Sequence, residues 1–368
     1  MNTLRKAEYA RFLEQVRDPQ RRSWIIMSPA SIGDTAILCA LAHAFVKRHG
    51  HGITLVVPPD HLNITQMFPN RFLRVLTAER ALMVHILNNY IDPNRFELDM
   101  PFCGHPYDHG DCRGNELFYL FKYPGRGGIS LTDLFRHLLR LPWDSQLERP
   151  VIPAEWDAEA QELAESMGLL AGKSVLVFPA NSSPHPQFPD VFWEALVTQL
   201  VSNGVKVFTN MKGGNFRPKT LPIPGSTPVE VPLHLALPLV RLAGRTICAA
   251  HGMQFLQLLG GRFAQMSVTM PIARDFGDFE MNGRTHSSTA YMAQFLYPEL
   301  CLDLPFAEFS VPFDGNEDEL KRIAVTIANL AFDDPSCLKR AGSNGQAYLD
   351  EHRDWMSALI QPAPRRPA

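Results

Sequence analysis

One carboxylate in this sequence, Asp34, stands where a side chain could do chemistry. It follows Gly33 at the end of a loop of small residues that begins at Ser28. A carboxylate in such a place can cap the next helix, hold a sugar or a cation, or act as a general base. Capping is the commonest use of an acidic residue at the start of a helix. The local sequence leaves these alternatives open.

A second group of polar side chains lies in residues 101–114, which we predict to be an irregular loop. The types of residue that bind zinc are present, but the stretch contains no CxxC pair and matches no metal-binding spacing. We therefore predict no metal in this loop and expect three of the residues to contact a polar acceptor. The six residues are Cys103, His105, Asp108, His109, Asp111 and Cys112, and the predicted contacts are His105, Asp108 and His109.

Two loops in the second half of the chain also combine small and polar residues. They span residues 179–189 and 250–253, and each lies between a predicted strand and a predicted helix. Exposed amides at the N-termini of those helices would suit a phosphate-bearing ligand. The simpler alternative is that small residues only permit tight turns from strand to helix.

The elements around Asp34 predict a βαβ unit. An apolar run, Trp24 to Met27, reads as a buried strand, and Ile53 to Val57 reads as the next. Between them, apolar residues at helical spacing follow Asp34, and Gly50 ends the helix. Such a unit implies a parallel sheet, and ligands of open α/β sheets bind beyond the carboxyl ends of the strands.

The second half repeats the order of strand, loop and helix. A proline-rich segment, residues 148–154, separates the halves and predicts domains at 1–150 and 151–335. We expect residues 336–368 to form a last helix and a frayed tail. The predicted strands of the second domain are Ser174–Phe178, Val205–Thr209, Arg245–Ala249 and 264–269, and its predicted helices are Ala154–Met167, 190–203, 233–242 and 254–259. Residues 212–217 are predicted to be a flexible polar loop.

Composition excludes several classes of protein. The chain has 368 residues and a formal net charge of −3, which argues against a nucleic-acid-binding protein. No apolar run reaches the roughly 20 residues needed to cross a bilayer. The six cysteines are scattered, which predicts free thiols and a cytoplasmic location. No Gly-X-Gly-X-X-Gly follows a strand, which argues against a dinucleotide oxidoreductase.

Three short motifs carry a resemblance to a known family. Ser31-Ile-Gly-Asp34, Val177-Phe-Pro-Ala-Asn181 with Gln187-Phe-Pro189, and Ala249-Ala-His-Gly252 occur in that order. Over residues 23–270 the chain resembles glycosyltransferase family 9, the heptosyltransferases. The resemblance implies an α/β chain of the GT-B fold, in which two Rossmann-like domains face each other across a cleft. It also implies that the last helix, within residues 336–368, crosses back to the first domain.

The resemblance also implies a function and a set of site residues. It implies inverting transfer of a sugar from a nucleotide-sugar to an acceptor hydroxyl, with neither metal nor cofactor, and Asp34 as the general base. The first domain would bind a glycan, lipid-linked or protein acceptor, with Ser31 and Gly33 among its contacts. The second would bind the donor. The donor positions are Pro179, Ala180, Asn181, Gln187, His251 and Gly252.

The sequence departs from the family at two motifs. Gln187-Phe188-Pro189 stands where the family has Lys-Trp-Pro, so the lysine that contacts the diphosphate is missing. Ala250-His251-Gly252 stands where the family has Asp-Ser/Thr-Gly, and Phe255 lies near the usual histidine. We expect His251, Lys212 or Arg217 to replace the lost cation. A sugar-nucleotide epimerase or hydrolase, or a binding protein without activity, are the alternative functions.

Overall fold

The computed structural model describes most of the chain, in two compact units. The described ranges are 23–28, 31–83, 131–180, 188–214, 222–249, 252–260 and 316–333, with short strands elsewhere between residues 102 and 312 and a few helical residues between 7 and 15. The described residues up to Val151 form the first unit, and those from Ile152 onward form the second.

The first unit is a parallel sheet with helices. Its elements are β1 (Ser23–Met27), α1 (Ile32–His49), β2 (Gly52–Val57), a 3-10 turn (Pro59–His61), α2 (Leu62–Gln66), β3 (Arg74–Thr77), β4 (Phe102–Cys103) and α3 (Leu131–Leu138). The strand order is β3-β2-β1-β4, and every pair is parallel. The predicted βαβ unit is confirmed. β1 and β2 are almost wholly buried, as their continuous apolar runs require.

Helix α1 is buried on all sides from Gly33 to Ala42 and has well-defined ends. Phe45, on its buried face, meets the Trp24 ring of β1 edge to face with the ring centroids 5.6 Å apart. Gly50 ends the helix in the left-handed conformation, at φ 70°, and its N–H donates to the carbonyl of Val46. A residue with a Cβ is strained at that φ, so glycine suits the position.

One segment of the first unit corrects the sequence analysis. Within the stretch predicted to be irregular, Phe102–Cys103 forms a strand that pairs with Ile25 and Ile26 of β1. This pairing provides partners for backbone groups on the edge of β1 that β2 does not cover. The sequence of Phe72–Leu76 predicts a strand, and β3 begins two residues later. Residues 78–90 have the pattern of a helix, of which 80–83 are helical. Residues 84–90, the strand predicted over 96–100 and the helix predicted over 116–123 lie outside the described residues.

The second unit is built around a larger parallel sheet. Its helical elements are α4 (Ala154–Met167), α5 (Asp190–Ser202), a 3-10 turn (Leu233–Leu235), α6 (Ala236–Ala243), α7 (Gly252–Gly260) and α8 (Glu317–Asp333). Its strands are β5 (Ser174–Phe178), β6 (Lys206–Asn210), β7 (Lys212–Gly214), β8 (Arg217–Lys219), β9 (Thr227–Val229), β10 (Arg245–Ala249), β11 (Met266–Met270), β12 (Ile272–Ala273), β13 (Asp278–Met281), β14 (Arg284–Ser287), β15 (Phe306–Glu308) and β16 (Val311–Pro312).

Six of these strands form one sheet in the order β15-β11-β10-β5-β6-β9, with every pair parallel. A core on one side joins β5 and β10 to α5 and α8. Phe188, Phe192 and Trp193 meet there at centroid distances of 5.1 to 5.8 Å. The predicted bounds of α4, β5 and β10 match the structure residue for residue.

The polar loop predicted at residues 212–217 is wrong, because an antiparallel hairpin occupies this part of the chain. Lys212 pairs with Lys219, and Gly214 pairs with Arg217. Asn210 holds the base of the hairpin, since its side-chain amide donates to the Lys212 carbonyl at 3.0 Å while its oxygen accepts from Val231 N–H at 3.1 Å. The predicted last helix within 336–368 lies outside the described residues.

Candidate active site

The loop that leads to Asp34 leaves the first sheet at its topological switch point. From β1 the chain continues to β2 on one side, while β4 lies on the other side. In open α/β sheets the crevice beside such a strand, beyond its carboxyl end, is where ligands bind. Ser28 extends the end of β1, because its N–H donates to the Val56 carbonyl at 2.9 Å. Asp34 therefore lies at the position of the fold that most often binds a ligand.

Ser31 and Asp34 form a capping box at the start of α1. Ser31 donates to Asp34 Oδ2 from its backbone N–H at 3.0 Å and from its hydroxyl at 2.7 Å. In return, Asp34 N–H donates to Ser31 Oγ at 3.4 Å. The N-cap is thus Ser31 rather than Asp34, and α1 begins at Ile32. Asp34 is the third residue of the helix, where the helix dipole favours a negative charge.

Capping and chemistry are compatible at this carboxylate. The Asp34 residue is buried, with 5% of its surface exposed, and both hydrogen bonds from Ser31 end on Oδ2. Gly33 is also buried and Ser31 is half-buried. The carboxylate is therefore held in a fixed orientation by charge-favouring hydrogen bonds, as a general base requires.

A buried polar chain that the sequence analysis missed lies behind Asp34. Ser28 Oγ and Thr35 Oγ1 are 2.8 Å apart, and Thr35 Oγ1 is 2.8 Å from His61 Nδ1. The other ring nitrogen of His61, Nε2, is 3.3 Å from Arg80. Ser28 and Thr35 are 7 positions apart in the sequence, Thr35 and His61 are 26 apart, and His61 and Arg80 are 19 apart. No short motif could therefore have revealed this group.

The imidazole of His61 is neutral because it is buried. Only 2% of its surface is exposed, and this burial lowers the pKa of His61 to about 4. The neighbouring carboxylates of Asp60 and Asp34 raise that pKa and the Arg80 guanidinium lowers it, but burial is the largest cause. At neutral pH the ring is therefore a hydrogen-bonding group rather than a cation.

The second unit has its own topological switch point, between β5 and β10. These strands are neighbours in the sheet, and Phe178 pairs with Cys248 near their carboxyl ends. The segments that follow them consequently leave the sheet side by side. Pro179 is buried and Ala180 is half-buried, and α7 begins at Gly252. Of the other predicted donor contacts, Asn181, Gln187 and His251 lie outside the described residues.

The hairpin brings two predicted cations to the same edge of this sheet. It follows the carboxyl end of β6, which is the neighbour of β5. Lys212 is exposed, and Lys219 lies opposite it in the register. Arg217 is two positions from Lys219, so the three positions share one face of the hairpin.

The predicted acceptor contacts of the first unit, His105, Asp108 and His109, lie outside the described residues. Within the described ranges, no cluster of three or more histidine, cysteine, aspartate or glutamate residues is arranged to hold a metal ion. None of the helices in the described ranges combines the length and the apolarity that spanning a bilayer requires. Cys39 and Cys248 are buried thiols outside any disulfide.

Comparison with solved structures identifies the fold. The glycosyl transferase family 9 structure from Veillonella parvula matches with a TM-score of 0.50 at 13% identity, covering 91% of this chain and 99% of that one. The ADP-heptose LPS heptosyltransferase II of E. coli matches with a TM-score of 0.50 at 11% identity, covering 89% of this chain and 99% of that one.

Sequence comparison gives no such match. No protein-family model matches the chain, and no curated protein matches it. At identities of 11% and 13% the structural similarity establishes the fold and leaves the activity to be argued from the site. The predicted α/β fold of the GT-B type is confirmed, and so is the resemblance of this chain to glycosyltransferase family 9 at the level of fold.

Proposed function

We propose that this protein is an inverting glycosyltransferase that moves a sugar from a nucleotide-sugar to an acceptor hydroxyl, with Asp34 as the general base. The observation that carries the proposal is the Asp34 carboxylate, which is buried, fixed by Ser31 and located at the switch point of the first sheet. The fold shared with two glycosyltransferases supports the same reaction class.

The reaction is a single displacement. Asp34 takes the proton of the acceptor hydroxyl while the acceptor oxygen forms a bond to the anomeric carbon of the donor. The bond from that carbon to the diphosphate oxygen breaks, and its electron pair leaves with the nucleoside diphosphate. Attack opposite the leaving group inverts the anomeric centre. The base must be charged to accept the proton, and both the helix N-terminus and Ser31 favour the charged carboxylate.

The second unit would hold the donor and stabilise the leaving group. A departing diphosphate needs positive potential, which Lys212, Arg217, His251 and the N-terminus of α7 can supply without a metal. The two adjacent strand ends of β5 and β10 place Pro179, Ala180 and Gly252 along the same edge. Asn181 and Gln187 complete the proposed donor contacts. The E. coli neighbour is named for ADP-heptose, and we propose a nucleoside-diphosphate sugar as the donor class of this protein.

The first unit would hold the acceptor. Ser31 and Gly33 lie beside the base, and His105, Asp108 and His109 are the further proposed contacts. A glycan, a lipid-linked sugar or a protein could present the hydroxyl. We propose that the enzyme needs no cofactor and works in the cytoplasm.

A thermal-shift screen of the whole chain with ADP-, UDP-, GDP- and CDP-sugars tests the donor site. Stabilisation by one nucleotide family, with NAD as the negative control, is the expected result, because a ligand that binds only the native state raises its stability. Nucleoside diphosphate release and epimerisation of the nucleotide-sugar are then measured with and without candidate acceptors. Turnover that needs an acceptor supports transfer, whereas turnover without one indicates an epimerase or a hydrolase. Binding without turnover would indicate a protein that has lost the activity, and no shift with any nucleotide would contradict the proposal.

A further inference from the structure

The direction of the buried hydrogen bonds behind Asp34 is defined at His61. An arginine N–H can only donate, so Arg80 donates to His61 Nε2 and that nitrogen is an acceptor. The neutral ring then carries its proton on Nδ1 and donates to Thr35 Oγ1 at 2.8 Å. Thr35 Oγ1 is also 2.8 Å from Ser28 Oγ, where either hydroxyl can be the donor. The three hydrogen bonds form one continuous chain from Arg80 to Ser28.

This chain of hydrogen bonds joins the three segments that meet next to Asp34, the proposed general base. Ser28 is the residue that extends β1, Thr35 lies in the first turn of α1 next to Asp34, and His61 ends the 3-10 turn after β2. Ser28 and Thr35 are wholly buried, and His61 is nearly so. A broken link would leave a buried polar group without a partner, so the arrangement is held firmly.

We propose that His61 is a positioning residue for Asp34. It acts through Thr35 by fixing the first turn of α1 against the end of β1, and so sets the place of the carboxylate. A small displacement of a catalytic group costs a large factor in rate, so the effect on turnover would be on kcat. This consequence rests on the proposed function, whereas the positioning itself does not.

A second buried hydroxyl pair, which joins β1 to β2, provides a matched control. Ser23 Oγ and Thr54 Oγ1 are buried and 2.8 Å apart, like Ser28 and Thr35, but Ser23 is at the amino end of β1. Replacing Thr54 by valine removes the same kind of hydrogen bond far along the strand from Asp34. General loss of stability would affect both valine variants, and only positioning would distinguish them.

The experiment compares Thr35→Val, His61→Leu and Thr54→Val in the whole chain by amide hydrogen exchange over residues 31–38. We expect exchange to become about tenfold faster, or more, in the first two variants and to stay unchanged in Thr54→Val. Thr35→Ser and His61→Asn are the rescue variants, since each keeps a donor or acceptor at the same place. Equal protection of the first turn in Thr35→Val and Thr54→Val would overturn the inference and leave the proposed function standing.

Turnover with the identified donor gives the second measurement. Thr35→Val and His61→Leu should lower kcat about tenfold or more with KM for the donor nearly unchanged, and the rescue variants should recover most of it. A loss of kcat as large in Thr54→Val would contradict positioning. If the wild type transfers no sugar, the proposed function fails, but the exchange measurement still decides the role of His61. If Thr35→Val does not fold, His61→Leu and His61→Asn carry the same comparison.

Discussion

Both hydrogen bonds from Ser31 to Asp34 end on the same carboxylate oxygen, Oδ2. They measure 3.0 Å from the backbone N–H and 2.7 Å from the hydroxyl. Capping and base catalysis, which the sequence presented as alternatives, can therefore coexist in one side chain. Ser31 provides a hydrogen-bond acceptor for a backbone N–H at the N-terminus of α1, and at the same time it fixes the orientation of the Asp34 carboxylate.

Removing the cap should cost stability. Ser31→Ala loses the side-chain half of the capping box, and we expect the free energy of unfolding to fall by about 1 kcal/mol in urea denaturation. Ser31→Thr should retain most of the stability. Ser166, an exposed serine near the end of α4, is the control, and its replacement by alanine should change stability by less than about 0.5 kcal/mol. Equal effects at both serines would contradict the structural role of the box.

Acid should destabilise the fold through His61. The folded pKa is about 4 against 6.5 for an ordinary histidine, so the unfolded chain binds the proton more readily. The stability that the neutral His61 contributes to the folded state is therefore fully present above pH 6.5. As the pH falls from 6.5 towards 4, the free energy of unfolding decreases by on the order of 3 kcal/mol. Asp60, Asp34 and Arg80 are the charged groups that act on it.

Urea unfolding at several pH values between 7.5 and 4 measures this effect. His61→Asn should show a shallower loss of stability over that range than the wild type. Some slope remains in the variant, because burial also lowers the pKa of His49, which is half-buried beside the Leu139 carbonyl. Identical slopes in the two proteins would show that His61 is not the responsible group.

Much of the fold could be predicted because local signals agreed. β5 contains the apolar run Val175–Phe178 and β10 the run Ile247–Ala249, and α4 is followed by Gly168, which is in the left-handed conformation at φ 66°. The hairpin was missed because β7 and β8 contain two glycines, a proline and three basic residues, with no alternation of apolar side chains. Its two strands pair with each other, and no local pattern in the sequence signals that pairing.

The candidate site was only partly predictable. Asp34 could be found because a short motif surrounds it, and the hydrogen bonds of Ser31 are local enough to follow from that motif. His61 could not be found, because its neighbours come from three separate segments of the chain. Its role depends on burial and on contacts that only the tertiary structure brings together.

The buried ion pair of Asp133 and Arg136 in α3 should matter more than an exposed one. Arg136 donates to Asp133 at 2.7 Å, and the two side chains are only 2% and 5% exposed. Asp133→Ala leaves a buried cation, which should cost about 3 kcal/mol or more. The exposed pair of Lys321 and Glu317 is the comparison, and Lys321→Met should cost less than about 0.5 kcal/mol. Chemical denaturation measures the free energy of unfolding of both variants. Similar losses in the two would contradict a stabilising role for the buried pair.

The hairpin cation should contribute to donor binding. Lys212→Met should weaken binding of the identified nucleotide-sugar by about tenfold, because a charge-assisted contact to the diphosphate is lost. Lys173, exposed at the amino end of β5, offers the same charge change at the opposite end of the sheet, and Lys173→Met should bind as the wild type does. Isothermal titration at low and high salt measures the affinity of both variants for the nucleotide-sugar. Equal affinities in the two variants would exclude Lys212 from the donor site.

The most direct test of the central claim is transfer by Asp34→Asn with the donor that stabilises the wild type. Asparagine keeps the size of the side chain and an acceptor for Ser31 but cannot take the proton. We expect donor binding to persist while turnover falls about 100- to 10,000-fold. Asp144→Asn, an exposed change in the same unit, should leave turnover intact. Full transfer by Asp34→Asn would contradict the role of Asp34 as the base and, with it, the proposed mechanism.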